Sequence, residues 1–394
     1  MKLSDVTGNP ASDRLSPEWV RRAELVIERR SGRVRQAGAV QNEGKFIQLF
    51  RQKCEESLYV FLEGVLNFWF LEPTLHKPVC DWLTTLPPYR KMLLMPRNHC
   101  KTTIVAQGLP LHAMIQPTAS NIYYPKQPGT ALRLVLTGET EEMATRNLRV
   151  IKAVLENNVL LRALWPHICW QNARREAPKW SDDTLTIPRD TNFPEPTVRA
   201  IGVGGAITGL HPNMLIKDDL TTQKAANEPP TMAKAIDWHS DSRALFANPD
   251  TDLEFITGTR WANFDLPGYI QMSDPTVATN TRWRRIVEDG QVTFPSKYGY
   301  TGAVEQLQKE HGIKFNLLFM NEATGDGLTD FVLSDLRDYE LRGGAVHFTE
   351  NENDLVLETA VNAPAADVPA TRGMDLYTHL SLSNLQYLRN TRSL

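Results

Sequence analysis

Between residues 91 and 259, short apolar runs alternate with amphipathic stretches, and this alternation restricts the fold more than any other feature of the chain. "KMLLM" (91–95), "LRLVLT" (132–137), "NMLIKDDL" (213–220) and "LEFITGT" (253–259) have the length and apolar content of buried strands. Between them, residues 141–158 place Met143, Leu148, Ile151, Val154 and Leu155 on one side of a helix, and residues 230–247 read as another. "TLTIP" and "TVRAIGV" add two strands that read as a paired ribbon. Strands that alternate with helices predict an α/β fold with a mainly parallel central sheet flanked by helices.

Helices are predicted before this core. Ser16 and Pro17 suit the N-cap and first position of one. Phe46, Phe50, Leu58, Phe61 and Val65 keep helical spacing over 45–70, and a third helix is expected over 74–86. "IVAQGLPLHAMI" (104–115) reads as helix with a bend or break at Pro110. Beyond residue 291 the pattern thins: "TGAVEQLQKEHG" reads as helix and "VNAPAADVPATRG" (361–373) as a linker.

A chain of 394 residues has room for two or three domains, or for one large α/β domain with extensions. Its formal charge of −3 gives no support for nucleic-acid binding by the chain as a whole, although a local basic face stays open. Cys54, Cys80, Cys100 and Cys169 form no C-x-x-C pair, which speaks against a zinc site and for a reducing compartment. The N-terminus has no apolar signal core, and "LYVFLEGVLNFWFL" (58–71) is too short to span a bilayer and contains Glu63. A soluble, intracellular protein is expected.

The loop after the first strand, "PRNHCKTT" (96–103), ends like a phosphate-binding loop but has Met95 and Cys100 where G-x-x-x-x-G-K-[ST] has glycine. A strand, a turn and a Lys-Thr at a helix start turn backbone N–H groups toward an anion. Lys101 would then face phosphate and Thr102 a magnesium ion; the alternative is an ordinary helix start. "MLIKDDL" offers Asp218 and Asp219 at a strand end, where a metal-holding acid belongs or where a plain turn would serve. "FITGTRW" (255–261) closes a third strand with Thr257, Gly258, Thr259 and Arg260, either a sensor of the γ-phosphate or a turn with an exposed arginine. The cradle would be completed by Asn98, His99, Cys100 and Thr103. Cys100 in a glycine place predicts a strained or reshaped backbone.

In this order, the three motifs, with "LHKPVCDWL", "LVLTGETEEMATRNLRVIKAVLENNVLLRALWP", "VRAIGVGGAITGLHPNMLIKDDL" and "FITGTRWANFDLPG", resemble the large terminase subunit of tailed bacteriophages. The resemblance runs through about residues 70–340. It implies a P-loop NTPase core of the RecA/ASCE-like type over 71–340, a helical N-terminal extension over 1–70, and over 341–394 a linker with the start of a C-terminal nuclease domain. It implies ATP and Mg²⁺ as cofactors, and double-stranded DNA, the portal protein and the small terminase subunit as partners. It also implies a homo-oligomeric ring, a pentamer, on the procapsid portal in the host cytoplasm. Asp218 would hold the ion with Thr102, Asp219 would occupy the place of the water-polarising glutamate, and Arg97 would reach the γ-phosphate. Glu228 is the runner-up for the catalytic acid, and Glu254 a third choice. His76 would meet the adenine, or serve as a structural histidine. Arg146 and Arg149 are candidates for an arginine finger acting in trans, or a solvated helix face.

The family's nuclease domain uses clustered carboxylates; Asp375 stands where the first would be, or is a plain surface acid, the reading preferred for this chain. No nuclease activity is expected from this chain. Two other readings stay open: a helicase-like remodelling ATPase, and a non-catalytic module whose loop has lost nucleotide.

Overall fold

The computed structural model describes residues 40–322, save Asn263 and Ile313, together with Arg21 and the strands Tyr339–Arg342 and Ala345–Phe348. The helix expected after Ser16, the linker at 361–373 and Asp375 lie outside the described residues. The chain divides into two compact units, Met1–Leu328 and Thr329–Leu394. In the second, Tyr339–Arg342 and Ala345–Phe348 pair as an antiparallel ribbon.

The first unit is α/β. Its sheet has seven strands: β1 (Arg90–Leu94), β2 (Leu134–Gly138), β3 (Thr184–Leu185), β4 (Val198–Gly202), β5 (Met214–Asp218), β6 (Leu253–Gly258) and β7 (Thr281–Trp283). Their order across the sheet is β3-β4-β2-β5-β6-β1-β7. All neighbours are parallel except β3, which runs antiparallel on β4 as the expected ribbon. In-register pairs such as Leu94↔Gly258, Asp218↔Thr257 and Gly138↔Gly202 bring the C-terminal ends of six strands to one edge. In open parallel sheets that edge is where ligands bind.

Period-two alternation splits the strands between two cores. Leu93, Leu136, Ile216 and Phe255 face one, and Met92, Val135, Leu215 and Ile256 face the other. The first core is covered by α1 (Val40–Glu56), α2 (Leu58–Gly64), α3 (Pro73–Thr84), α4 (101–114) and α5 (Glu141–Asn157). The second is covered by α6 (Gln223–Asn227), α7 (Pro229–Ser242), α8 (Leu266–Ser273) and α9 (Pro275–Thr279).

Three details differ from the sequence expectation. The helix foreseen over 45–70 is two, because Ser57 accepts a hydrogen bond from Val60 N and starts a new helix. Residues 40–66 are not set apart as an extension: Phe46, Phe50, Phe61 and Leu62 share one core with the sheet. Pro110 does not break α4, which is π-helical over Thr103–Gly108 and α-helical over Leu109–Met114.

Lys217 interrupts the apolar run of β5 because it has a partner across the second core. Fully buried, it donates to Glu254 Oε1 at 2.6 Å and to the His239 carbonyl at 3.1 Å. Arg243 Nη2 lies 2.9 Å from the other oxygen of Glu254 and also pairs with Asp274. Burial alone would push the Glu254 carboxyl up, but Lys217 and Arg243 hold it well below the usual carboxylate range.

His112 is fully buried; its Nε2 donates to the Cys54 carbonyl at 2.9 Å and its Nδ1 accepts from the Tyr123 hydroxyl at 2.7 Å. Burial lowers its pKa to about 3, so it is neutral when folded. A group whose folded pKa is depressed below an unfolded value near 6.5 supports the fold above that value, and this support is lost as pH falls. Acidification from pH 7 to pH 5 is therefore expected to cost about 2 kcal/mol through His112 alone. Denaturant unfolding of the wild type and a His112→Gln variant at both pH values checks this; an equal loss in both would remove His112 as the cause.

Candidate functional site

The loop between β1 and α4 lies at the C-terminal edge of the sheet. Asn98 and Cys100 both adopt a left-handed backbone, φ 63° at each. An L side chain there costs about 1–2 kcal/mol relative to the right-handed region, the strain foreseen for a side chain in a glycine place. Neighbouring segments hold this shape: Arg97 N donates to the Leu318 carbonyl at 2.8 Å, and Lys297 Nζ donates to the Asn98 carbonyl at 3.0 Å. Cys100→Gly is expected to raise stability by up to about 1 kcal/mol, the relieved strain exceeding the entropy of an added glycine. Thermal unfolding measures it; a loss larger than 1 kcal/mol would mean that packing of the Cys100 side chain outweighs backbone strain.

Two of the expected loop contacts brace the loop from behind. His76 is wholly buried; its Nδ1 accepts from Glu72 N at 2.6 Å, which puts the proton on Nε2, 3.3 Å from the His99 carbonyl. It leaves no surface for an adenine to touch, so the structural role is the one the fold gives it. His99 is 1% exposed, stacks on Tyr298 at 5.3 Å and donates from Nδ1 to the Arg97 carbonyl at 2.9 Å. Burial lowers its pKa to about 3, so the ring is neutral.

The front of the loop meets the acids. Lys101 Nζ lies 3.0 Å from Thr259 Oγ1 and 3.3 Å from Asp219 Oδ2. Thr102 Oγ1 donates to Asp218 Oδ1 at 3.1 Å, and Thr257 Oγ1 donates to the same oxygen at 2.7 Å. Asp218 is 4% exposed, and its pKa is driven up first by burial and then by the charge of Asp219; Lys101 and the two hydroxyls oppose this. Asp219 has φ 47°, which turns the chain out of β5 immediately after Asp218. Its amide donates to the Thr257 carbonyl at 3.0 Å. Thr103 begins the π-helical turn behind Lys101 and is partly exposed.

One residue of this cluster was not foreseen. Asn147 on α5 donates to Asp218 Oδ2 at 3.2 Å and accepts from Gln107 of α4 at 2.9 Å. The sequence held one signal, an asparagine on the face that carries Ala144, Leu148 and Ile151, where a polar residue needs a buried partner. Thr140 caps α5, and the end of β4 lies against its first turn; a Cβ at Gly202 would sit 2.4 Å from Glu141 N.

The other candidates make their contacts with other partners. Arg97 is exposed, its guanidinium 5.9 Å from the centre of the Trp261 ring. Arg260 is held by both oxygens of Asp265, each at 3.0 Å, and Asp265 in turn caps α8 through Gly268 N at 2.9 Å. Arg260 is thus a buried link from β6 to α8, and the alternative of an exposed turn arginine does not hold. A Cβ on Gly258 would make only ordinary contacts, with Pro267 at 3.7 Å and Leu94 at 3.8 Å. Glu228, the N-cap residue of α7, is exposed and accepts from the Thr231 hydroxyl at 2.9 Å. Glu254 is committed to Lys217 and Arg243 in the opposite core. Arg146 is exposed with Glu142 at 3.7 Å, and Arg149 is exposed on the same helix.

Among the described residues, no group of three or more His, Cys, Asp or Glu side chains is placed to hold a metal ion, and no helix is long and apolar enough to cross a membrane. Compared with known proteins, the chain matches no family model and no curated protein.

Proposed function

We propose that the chain is a Mg²⁺-dependent ATPase with a P-loop NTPase core, of the kind found in the large terminase subunit of tailed bacteriophages, which drives double-stranded DNA into the capsid. One observation carries the ATPase part. An ammonium, a neighbouring hydroxyl, two strand-end carboxylates and two further hydroxyls meet at one edge of a parallel sheet, although Lys101 and Thr259 are 158 residues apart. The strand order adds support, since β6, with its Thr-Gly-Thr end, lies between β1, which leads into the Lys101 loop, and the acidic β5. The translocation of DNA, the portal and small-subunit partners and the ring rest on the family order of the motifs.

Lys101 would exchange Asp219 and Thr259 for β- and γ-phosphate oxygens, acting as a compact point charge. Thr102 and Asp218 would hold Mg²⁺. Their oxygens are hard donors 3.1 Å apart, and a cation would favour the ionised form of a carboxylate that burial disfavours. With one carboxylate and one hydroxyl, the set suits an ion that takes its remaining ligands from phosphate and water. When bound, the ion offsets charge on the phosphates. Thr257 bonds the carboxylate and Thr259 the ammonium, so both would sense a phosphate bound there from the end of β6. The Arg260–Asp265 link would pass a displacement of the β6 end to α8.

The test is phosphate release from MgATP with and without duplex DNA, and stimulation by duplex without strand separation is expected. Strand separation by the purified chain would replace the translocase with a helicase-like remodelling enzyme. Absence of ATP binding by calorimetry would leave a non-catalytic module.

A further inference from the structure

The acid that polarises the attacking water has no good occupant among the residues considered so far. Asp218 already accepts from Thr102 and Thr257 on one oxygen and from Asn147 on the other. Asp219 is a short side chain with Oδ2 drawn toward Lys101. Glu228 is exposed at the N-cap of α7, and Glu254 is locked in the opposite core.

Glu139 fits the role better. It follows Gly138, the last residue of β2, and β2 pairs directly with β5. It therefore emerges at the same sheet edge as the two aspartates, and its amide donates to the Asp219 carbonyl at 3.2 Å. Its Oε1 is buried without a hydrogen-bond partner, and among the described residues no ion pair holds its carboxylate. Asp219 Oδ1, from the residue its backbone touches, is also buried and unpartnered. A buried carboxylate oxygen without a donor costs about 1–3 kcal/mol, more if charged, and an ordered water is the donor such a place takes. Glutamate also reaches one methylene farther than Asp219. The helix dipole of α5 gives no separate reason for this acid, because Glu141 and Glu142 already occupy its first turn.

We propose that Glu139 is the catalytic carboxylate that takes a proton from the attacking water, an inference that rests on the ATPase reading above. The water oxygen forms a bond to the γ-phosphorus. The bond from that phosphorus to the oxygen bridging the β-phosphate breaks, and the bridging oxygen keeps the electron pair as part of ADP. One water proton stays on the inorganic phosphate; the other passes to Glu139 and from it to solvent. Asp219 then has a different task, balancing Lys101 until nucleotide arrives.

The experiment uses the full chain with MgATP and compares Glu139→Gln, Asp219→Asn and Lys101→Ala with wild type. Phosphate release is measured for kcat and KM, ATPγS binding by calorimetry, and stability by thermal unfolding. Glu139→Gln is expected to lower kcat at least about 100-fold, with KM, ATPγS affinity and unfolding temperature close to wild type. Hydrolysis by Glu139→Gln within about threefold of wild type, while Lys101→Ala is inactive, overturns the proposal and leaves the ATPase reading standing. A loss of ATPγS affinity as large as the loss of rate assigns Glu139 a structural role and also overturns it. Wild type and Lys101→Ala that behave alike remove the ATPase reading, and this inference with it.

Discussion

Lys101→Ala is expected to reduce MgATP hydrolysis by at least about 10²–10³-fold, the cost of removing one preorganised charge from a site of developing phosphate charge. Two effects combine. The variant loses the ammonium that lies against Thr259 and Asp219. It also removes the charge that lowers the Asp218 pKa, leaving burial and Asp219 to push that carboxyl further up. Thr102 would then face a carboxylate less ready to hold a cation. Lys101→Arg should rescue little, since Lys101 is 8% exposed and a planar guanidinium cannot replace a compact ammonium there. Phosphate release from matched preparations decides the matter: equal rates for wild type and Lys101→Ala would falsify the assignment of this loop.

Glu254→Gln is the second large effect, and it is expected in stability. The substitution keeps the shape of the side chain but leaves Lys217, which is 0% exposed, without its anion. Arg243 would retain Asp274, whereas Lys217 would retain only His239, a neutral ring whose burial lowers its pKa to about 3. Removing one partner of a buried pair costs about 3–5 kcal/mol, while replacing both by apolar groups is often neutral. The double variant Lys217→Met with Glu254→Leu should therefore recover most of the loss. Denaturant unfolding of wild type, single and double variants provides the measurement. A single-variant cost below about 1 kcal/mol would mean that water reaches the pair.

Much of the first unit was legible because its signals are local. Strands β1, β2, β5 and β6 lie within about a residue or two of the apolar runs that predicted them, since a buried parallel strand must be apolar on both faces. Thr140 and the one-sided apolar face announce α5. Lys101, Thr102, Asp218, Thr257 and Thr259 could be singled out because each stands at a strand end or helix start, and the fold brings these five together.

The partners of those residues were decided only by tertiary structure. Nothing in the order of the motifs reveals that β6 inserts between β1 and β5, and this insertion sets Thr259 against Lys101. His76 and His99 carry no mark that they support the loop from behind; that follows from packing against Phe294 and Tyr298, about two hundred residues later. Arg260 follows a strand end and was open to two readings, a phosphate sensor or an exposed turn arginine, and nothing local marks Asp265 as the partner that neutralises it inside. Asn147 and Glu139 were passed over because a side chain's partner depends on which strand ends become neighbours. Pattern along the chain determines which residues leave water, because burial follows local periodicity. Which polar groups then face one another is settled by strand order and helix docking, and each buried donor or acceptor takes whatever partner that geometry supplies.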